Sequence, residues 1–299
     1  MTRPGLVSVI VPCFNQARFL SESLASLLAQ TYPHWEAIVV DDGSTDDTGA
    51  EARRWLARDS RFRYMAQNNG GQSAARNCGL RHARGDYLQF LDADDVIAPE
   101  KFALQVGALE SSTTPGLAFC DYAFGTETDM SRALRRDSNC KPRFTMGRPI
   151  EDIASRWETG LSIPIHCFLF DARLFREHGI KFDESLPNHE DWDCWMRIFA
   201  LDPRIEQVPQ ELAVYRQYPG TVSRDIERMR RAFRAAVDAQ LLLCENDPGL
   251  RNRLERKRAE MDASYALRAW VRRLRLAGLV ALIPRPMKRA LGRLFGTEA

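Results

Sequence analysis

The run at residues 7–11, VSVIV, is β-branched and apolar at every position but Ser8, so a strand formed there reads as buried on both faces. A second such run, EAIVV at residues 36–40, follows it. Between them, ARFLSESLASLLAQ places Leu20, Leu24, Leu27 and Leu28 at helical spacing, which gives an amphipathic helix. Strand, helix and strand in that order close into a right-handed parallel βαβ unit. This excludes all-α and all-antiparallel folds and requires helices to cover both faces of a sheet.

The pattern continues. FRYM at residues 62–65 reads as a third strand, and NNGGQSAARNCGLRHARG as a Gly-Gly turn, a helix from about Ser73 and a helix end at Gly85. YLQFL at residues 87–91 is a further strand. Each acidic cluster falls just beyond a strand, at the carboxyl edge where open parallel sheets bind ligands. Beyond it the sequence predicts a helix over 101–109, a strand in LAFCDYAF, a polar stretch without assignment up to Gly160, and a strand over 165–170. HEDWDCWMRIFA starts a helix with Trp192, Trp195, Met196 and Phe199 on one face. After Thr221 the sequence turns helical and rich in arginine, which divides the chain into an α/β domain, 1–221, and a basic helical extension, 222–299.

The net charge of +2 conceals an asymmetry. From Ser223 onward there are 18 Lys and Arg against 9 Asp and Glu, so this part is near +9 and the rest near −7. The last stretch, WVRRLRLAGLVALIPRPMKRALGRLFG, alternates basic and apolar residues, which fits both a helix lying on a membrane surface and a basic solvated helix packed on the domain. Its apolar run is far shorter than the roughly 20 residues that span a bilayer. No signal peptide is read at the N-terminus, so a cytoplasmic protein is expected, peripheral at the inner face of the membrane if the tail binds lipid. Seven cysteines without CxxC spacing predict neither a disulfide framework nor a zinc site, and no nucleic-acid partner is expected.

Asp92, Asp94 and Asp95 stand together with no Lys or Arg among them. Carboxylates this close raise one another's pKa unless a cation intervenes. Mg2+ commonly takes one or two protein carboxylates and completes its shell from phosphates and water, so the triplet suits a metal carrying a diphosphate. A solvated loop cap is the plainer reading, and the position at a strand end favours the metal. Asp41 and Asp42 end the second strand, where a carboxylate can meet a ribose hydroxyl or base N–H or simply cap the next helix. The first strand is followed by PCFNQ rather than GxGxxG, so a glycine cradle for pyrophosphate is absent from the sequence. Read alone, Arg76 is a surface helix arginine that could also reach a phosphate. Asp191, at a helix start, suits an N-cap and equally a general base. His166 reads as a core histidine without a nameable partner.

VSVIVPCFN, AIVVDDGSTDDT, GGQSAARNCGL, YLQFLDADD and HEDWDCWMR occur in this order, and in them the chain resembles the family 2 inverting glycosyltransferases of the GT-A fold over its first three quarters. The resemblance implies a Rossmann-like αβα sandwich with a central, mainly parallel sheet. It implies that Asp42 binds the nucleobase, usually uracil, in a pocket lined near Pro12 and Phe14. Asp92 would meet the ribose or sugar side of the donor, Asp94 would ligate Mn2+ or Mg2+ on the diphosphate, Arg76 would lie near the nucleotide, and Asp191 would be the base. The family often carries a histidine in a late YR-x-H segment; YRQY has Tyr218 there, which weakens a ligand role for that loop. With neither Q-x-x-R-W nor spanning helices, single-sugar transfer is expected rather than processive synthesis.

The expected reaction moves one sugar from a nucleotide-sugar, UDP-linked by preference, to a hydroxyl of a glycan or lipid-linked acceptor in cell-surface polysaccharide or lipopolysaccharide synthesis. Two alternatives carry less of the sequence. A phosphatase of the haloacid dehalogenase type places its DxD on the first strand, not after several. A sugar-nucleotide-binding or scaffolding protein without turnover would not need the full set of acids.

Overall fold

In the computed structural model, which describes residues 4–110, 112–130, 141–218, 225–244 and 246–276, the β-branched runs become neighbouring interior strands of one sheet. The strands are β1 (Val7–Cys13), β2 (Trp35–Asp41), β3 (Phe62–Ala66), β4 (Tyr87–Phe90), β5 (Val96–Ile97), β6 (Gly116–Gly125), β7 (Phe168–Asp171) and β8 (Arg204–Arg216). Their order across the sheet is β3-β2-β1-β4-β7-β6-β8-β5. The helices are α1 (Ala17–Leu28), α2 (Thr48–Arg58), α3 (Gln72–His82), α4 (Lys101–Leu109), α5 (Pro149–Arg156), α6 (Arg173–Arg176), α7 (Glu190–Phe199), α8 (Ile226–Leu243) and α9 (Pro248–Leu276).

All seven residues of β1 are buried, as a strand flanked by parallel neighbours requires. Val7, Val9 and Val11 pack with Leu20, Leu24 and Leu27 of α1 and Trp55 of α2 on one face. Ile10 faces the other layer, with Phe90, Phe170, Trp192 and Trp195. This parallel half, β3 to β4, is what the sequence predicts. The other half is mixed: β7 runs antiparallel to both β4 and β6, while β8 lies parallel to β6 and antiparallel to β5.

Several local expectations are corrected. Pro12 does not end β1, because the ladder resumes beyond it and Cys13 O accepts the Asp42 N–H at 2.9 Å. The segment 165–170 begins as a single 3-10 turn, Ile165–Cys167, closed by the Cys167 N–H on Pro164 O, before β7 starts. Gly85 does not close α3, which ends at His82 with Ala83 extended. It serves a close approach instead: its N–H donates to Ser8 Oγ at 2.8 Å, and a Cβ there would lie 2.5 Å from Leu6 O. The polar stretch left unassigned contains α5, with Pro149 at its first turn and Glu151 and Asp152 suited to the helix dipole.

Phe233, Val237, Leu254 and Tyr265 of α8 and α9 share one apolar core with Trp192 and Trp195 of α7. The expected boundary near Thr221 and the basic tail from residue 277 lie outside the described residues. Among the described residues no helix is long and apolar enough to cross a membrane. Cys13, Cys78, Cys120, Cys167, Cys194 and Cys244 are buried and unpaired; Cys140 lies outside the description.

Candidate active site

A cleft of about 1240 Å³ opens over the carboxyl ends of β1, β2 and β4. Pro12, Phe14, Asp42, Arg76, Asp92, Asp94 and Asp191 all line it, although they come from well-separated parts of the chain.

On one side, Asp42 organises the loop entering α3. Its Oδ1 accepts from Gln67 Nε2 at 2.7 Å and from the Gly70 N–H at 2.9 Å, and its Oδ2 accepts from the Gly71 N–H at 2.8 Å. Gly71 has φ +89, a conformation that strains any residue with a Cβ, and open space lies beside it. The loop after β1 is fixed to the one after β2 by Asn15, whose Oδ1 accepts from the N–H groups of Thr45 and Asp46. Phe14, in that loop, stays 46% exposed beside Asp42 in the cleft lining, an aromatic face open to solvent.

At the centre, β4 ends against β1 and a turn closed by the Asp95 N–H on Asp92 O brings the three acids together. Arg76 is not the surface arginine read from its helix position; it is 2% exposed. Its guanidinium donates to Asp92 Oδ1 at 2.8 Å and to Glu190 Oε1 at 2.6 Å, and lies 5.2 Å from the Phe182 ring centroid. Burial opposes its charge, but Asp92, Glu190 and Asp191 outweigh that and raise its pKa. Among the described residues no cation pairs with the Asp94 carboxylate in this way. Burial, then the charges of Asp95 and Asp92, push its carboxyl up to about 7, against a lowering hydrogen bond from the Tyr218 hydroxyl to Oδ2 at 2.9 Å.

Asp95 sits beneath. Its Oδ1 accepts the Arg216 N–H at 2.7 Å, and its Oδ2 lies 3.0 Å from His166 Nδ1, an electrostatic contact without the alignment of a hydrogen bond. Burial would lower the pKa of His166, but the Asp95 charge reverses this and raises it. The Arg216 guanidinium donates to Asp94 O at 2.6 Å and pairs with Glu22, so β8 ties the acidic turn to α1.

On the far side, Asp191 is the second residue of α7 rather than its N-cap. The cap position belongs to His189, whose left-handed φ of 59 carries the chain into the helix. Asp191 Oδ1 accepts the Trp192 N–H at 2.7 Å. Burial, then the neighbouring Glu190, raise its carboxyl to about 6, while His189 and Arg76 oppose the rise. A carboxylate so poised takes up a proton near neutrality, as a general base requires. Glu158, Met229 and Tyr265 line the cleft too, and the Tyr265 hydroxyl donates to Glu158 Oε2 at 3.0 Å, so the C-terminal helices form part of its wall.

Asp94 fits a hard divalent cation. Its carboxylate is crowded by two others, the surrounding donors are oxygens, and both nearby arginines are committed elsewhere. Among the described residues no three acidic, histidine or cysteine side chains converge to hold an ion unaided, so phosphate or water oxygens would complete the shell.

Glu190, Asp95, His166, Arg216 and Tyr218 were not assigned site roles from the sequence, and all of them act across long separations: Tyr218 meets Asp94 at a distance of 124 residues along the chain. The YRQY segment does reach the acidic turn, through the Tyr218 hydroxyl and Arg216. The one available signal was the third acid, Asp95, which needed a partner.

Comparison with known proteins adds to this geometry. The family model described as Glycosyl transferase family 2 matches residues 8–179. The chain is 31% identical over 221 residues to the uncharacterized glycosyltransferase EpsJ of Bacillus subtilis, covering 73% of this chain and 63% of that protein. It is 33% identical over 199 residues to an uncharacterized glycosyltransferase of Rickettsia conorii, covering 66% of this chain and 32% of that one. It therefore spans less than two thirds of the length of these relatives. Among solved structures, the mannosyltransferase PcManGT from Pyrobaculum calidifontis in complex with GDP-Man and Mn2+ superposes with a TM-score of 0.65 at 19% identity, over 99% of this chain and 89% of that one. S. aureus TarS 1-349 in complex with UDP-GlcNAc does so with a TM-score of 0.63 at 21% identity, over 86% and 71%. The GT-A fold class expected from the motifs holds.

Proposed function

The chain belongs to glycosyl transferase family 2, and from that premise we propose that it is an inverting, metal-dependent glycosyltransferase moving a single sugar from a nucleotide-sugar to an acceptor hydroxyl. The observation that carries the reading is one cleft holding two acidic groups with different surroundings. Asp92 and Asp94 are crowded together on one side, and Asp191, pushed up to about 6, stands on the other. Fold neighbours were captured with UDP-GlcNAc and with GDP-Man, which supports a nucleotide-sugar donor.

In this reading the base lies beside Asp42 and the Gly70–Gly71 loop, with Phe14 offering a face for stacking. Asp94 would hold Mn2+ or Mg2+, which would supply neutralisation of charge on the diphosphate leaving group. Arg76 keeps Asp92 and Glu190 in place and limits the rise in the pKa of Asp191. Asp191 accepts the proton of the acceptor hydroxyl as that oxygen attacks the anomeric carbon from the face opposite the leaving group, so configuration inverts. A UDP-sugar is the preferred donor, and a glycan or lipid-linked precursor of cell-surface polysaccharide or lipopolysaccharide the preferred acceptor. The cytoplasm is the expected location, with membrane contact through the basic tail.

The test pairs two variants. Asp191→Asn is expected to abolish transfer while UDP and Mn2+ binding persist, and Asp94→Ala to abolish the Mn2+-dependent part of donor binding. Near wild-type turnover by the Asn variant removes the base assignment. A wild-type protein that binds donor but neither transfers nor hydrolyses it would be the non-catalytic binder of the same fold.

A further inference from the structure

We propose that His166 reads the sugar of the bound nucleotide-sugar, its Nε2 hydrogen-bonding a hydroxyl or acyl substituent of that sugar at the floor of the cleft. This rests on the donor reading above and extends it to a residue that the reaction scheme does not use.

The imidazole is fully buried yet belongs to the cleft lining. One edge of the ring faces a charge: Nδ1 lies 3.0 Å from Asp95 Oδ2, and Asp95 is itself held by the Arg216 N–H at 2.7 Å. The ring also stacks on Tyr215, with centroids 6.2 Å apart and planes within 12°. The other edge is buried and unpaired: Nε2 is shielded from solvent and has no hydrogen-bond partner among the described residues. Buried polar atoms in folded proteins are nearly always paired, so an orphan on a ring held between the Asp95 charge and Tyr215 points to a partner that arrives from outside. Sugar hydroxyls suit it in either protonation state, since they donate and accept.

Position separates the sugar from the nucleoside. His166 touches Asp95, the residue after the proposed metal ligand, whereas the loop beside Asp42 and Gly71 is built on β2 and α3. A group contacting His166 therefore lies on the diphosphate and sugar side of the donor.

Two substitutions distinguish recognition from mere packing. Asn at this position puts its amide near Nδ1, which preserves the Asp95 contact and leaves nothing at Nε2; Gln reaches towards Nε2 and gives up Nδ1. Calorimetry in Mn2+ would compare UDP with the best-bound member of a panel of UDP-glucose, UDP-GlcNAc and GDP-mannose. His166→Asn is expected to weaken the nucleotide-sugar about three- to tenfold, the worth of one net hydrogen bond, with UDP unchanged, and His166→Gln to recover most of that loss. A structural histidine gives the reverse order, Gln worse than Asn, or an equal loss for UDP and nucleotide-sugar, and either result overturns the proposal. Should the Asn variant not fold, the wild-type 15N signal of His166 Nε2 decides. It is expected to move on adding the nucleotide-sugar beyond any change with UDP, and an identical response to both, as from a permanently bound water, overturns the proposal. Wild-type protein that binds neither UDP nor any panel member refutes the donor reading, and with it this one; UDP-glucose, UDP-GlcNAc or GDP-mannose binding with an indifferent His166 refutes only this one.

Discussion

Arg76→Met isolates the charge at the centre of the site, because Met keeps apolar volume against Phe182 and removes the guanidinium. Arg76 is 2% exposed and serves two carboxylates, Glu190 at 7% side-chain exposure and Asp92 at 22%. Removing one partner of a buried ion pair costs about 3–5 kcal/mol, mostly from the charge left behind. Asp92 retains water access and the Gln72 amide at 3.0 Å, so the two losses do not double and a value of about 3 kcal/mol is expected. Against a total stability of about 5–15 kcal/mol the variant still folds, but its urea midpoint drops sharply. The penalty should depend on pH with a definite sign. Asp191 already has its folded pKa raised to about 6, so its ionisation lowers stability as pH rises from its unfolded value towards 6. Without Arg76, which opposes that rise, the decline continues above pH 6. The stability gap between wild type and variant should therefore widen from pH 6 to pH 8 and narrow in acid. Urea unfolding at pH 5, 6, 7 and 8 measures it. A loss below about 1 kcal/mol, or a gap independent of pH, would show that Arg76 does not compensate these carboxylates.

Other outcomes follow from the same geometry. Transfer, or donor hydrolysis where water replaces the acceptor, should show an acid limb with an apparent pKa near the value of about 6 given by burial and Glu190, and should lose about 10²- to 10⁴-fold in Asp191→Asn, read from nucleotide release against pH. Tyr218→Phe removes the hydroxyl on Asp94 Oδ2, and about a three- to tenfold weaker Mn2+-dependent donor affinity is expected by calorimetry, with metal-free UDP binding unchanged. Gly71→Ala meets no neighbour within 4 Å, yet φ +89 should cost about 1–2 kcal/mol in denaturant unfolding and weaken nucleotide binding through the loop on Asp42.

The parallel half of the sheet was legible because its cause is local: VSVIV and EAIVV are apolar at every buried position but Ser8 and Glu36, which hydrogen-bond each other, and the leucines of α1 fall at helical spacing. The acids at strand ends were legible for the same reason, and Pro12, Phe14, Asp42, Arg76, Asp92, Asp94 and Asp191 do line one cleft. Their environments were not legible. Whether Arg76 faces water or two carboxylates depends on where α7 packs, and periodicity in α3 does not encode that. Asp191 looked like a cap because composition marks a helix start only to within a residue or two, and here the left-handed His189 takes the position. The mixed half of the sheet was obscure since β7 has only four residues and follows a 3-10 turn, with alternation too short to read.

Arg216 joins Glu22 of α1, the carbonyl of Asp94 and the carboxylate of Asp95 at a single point on the last strand. A growing polypeptide emerging from the ribosome would thus carry its acidic turn unsecured until synthesis has passed β8.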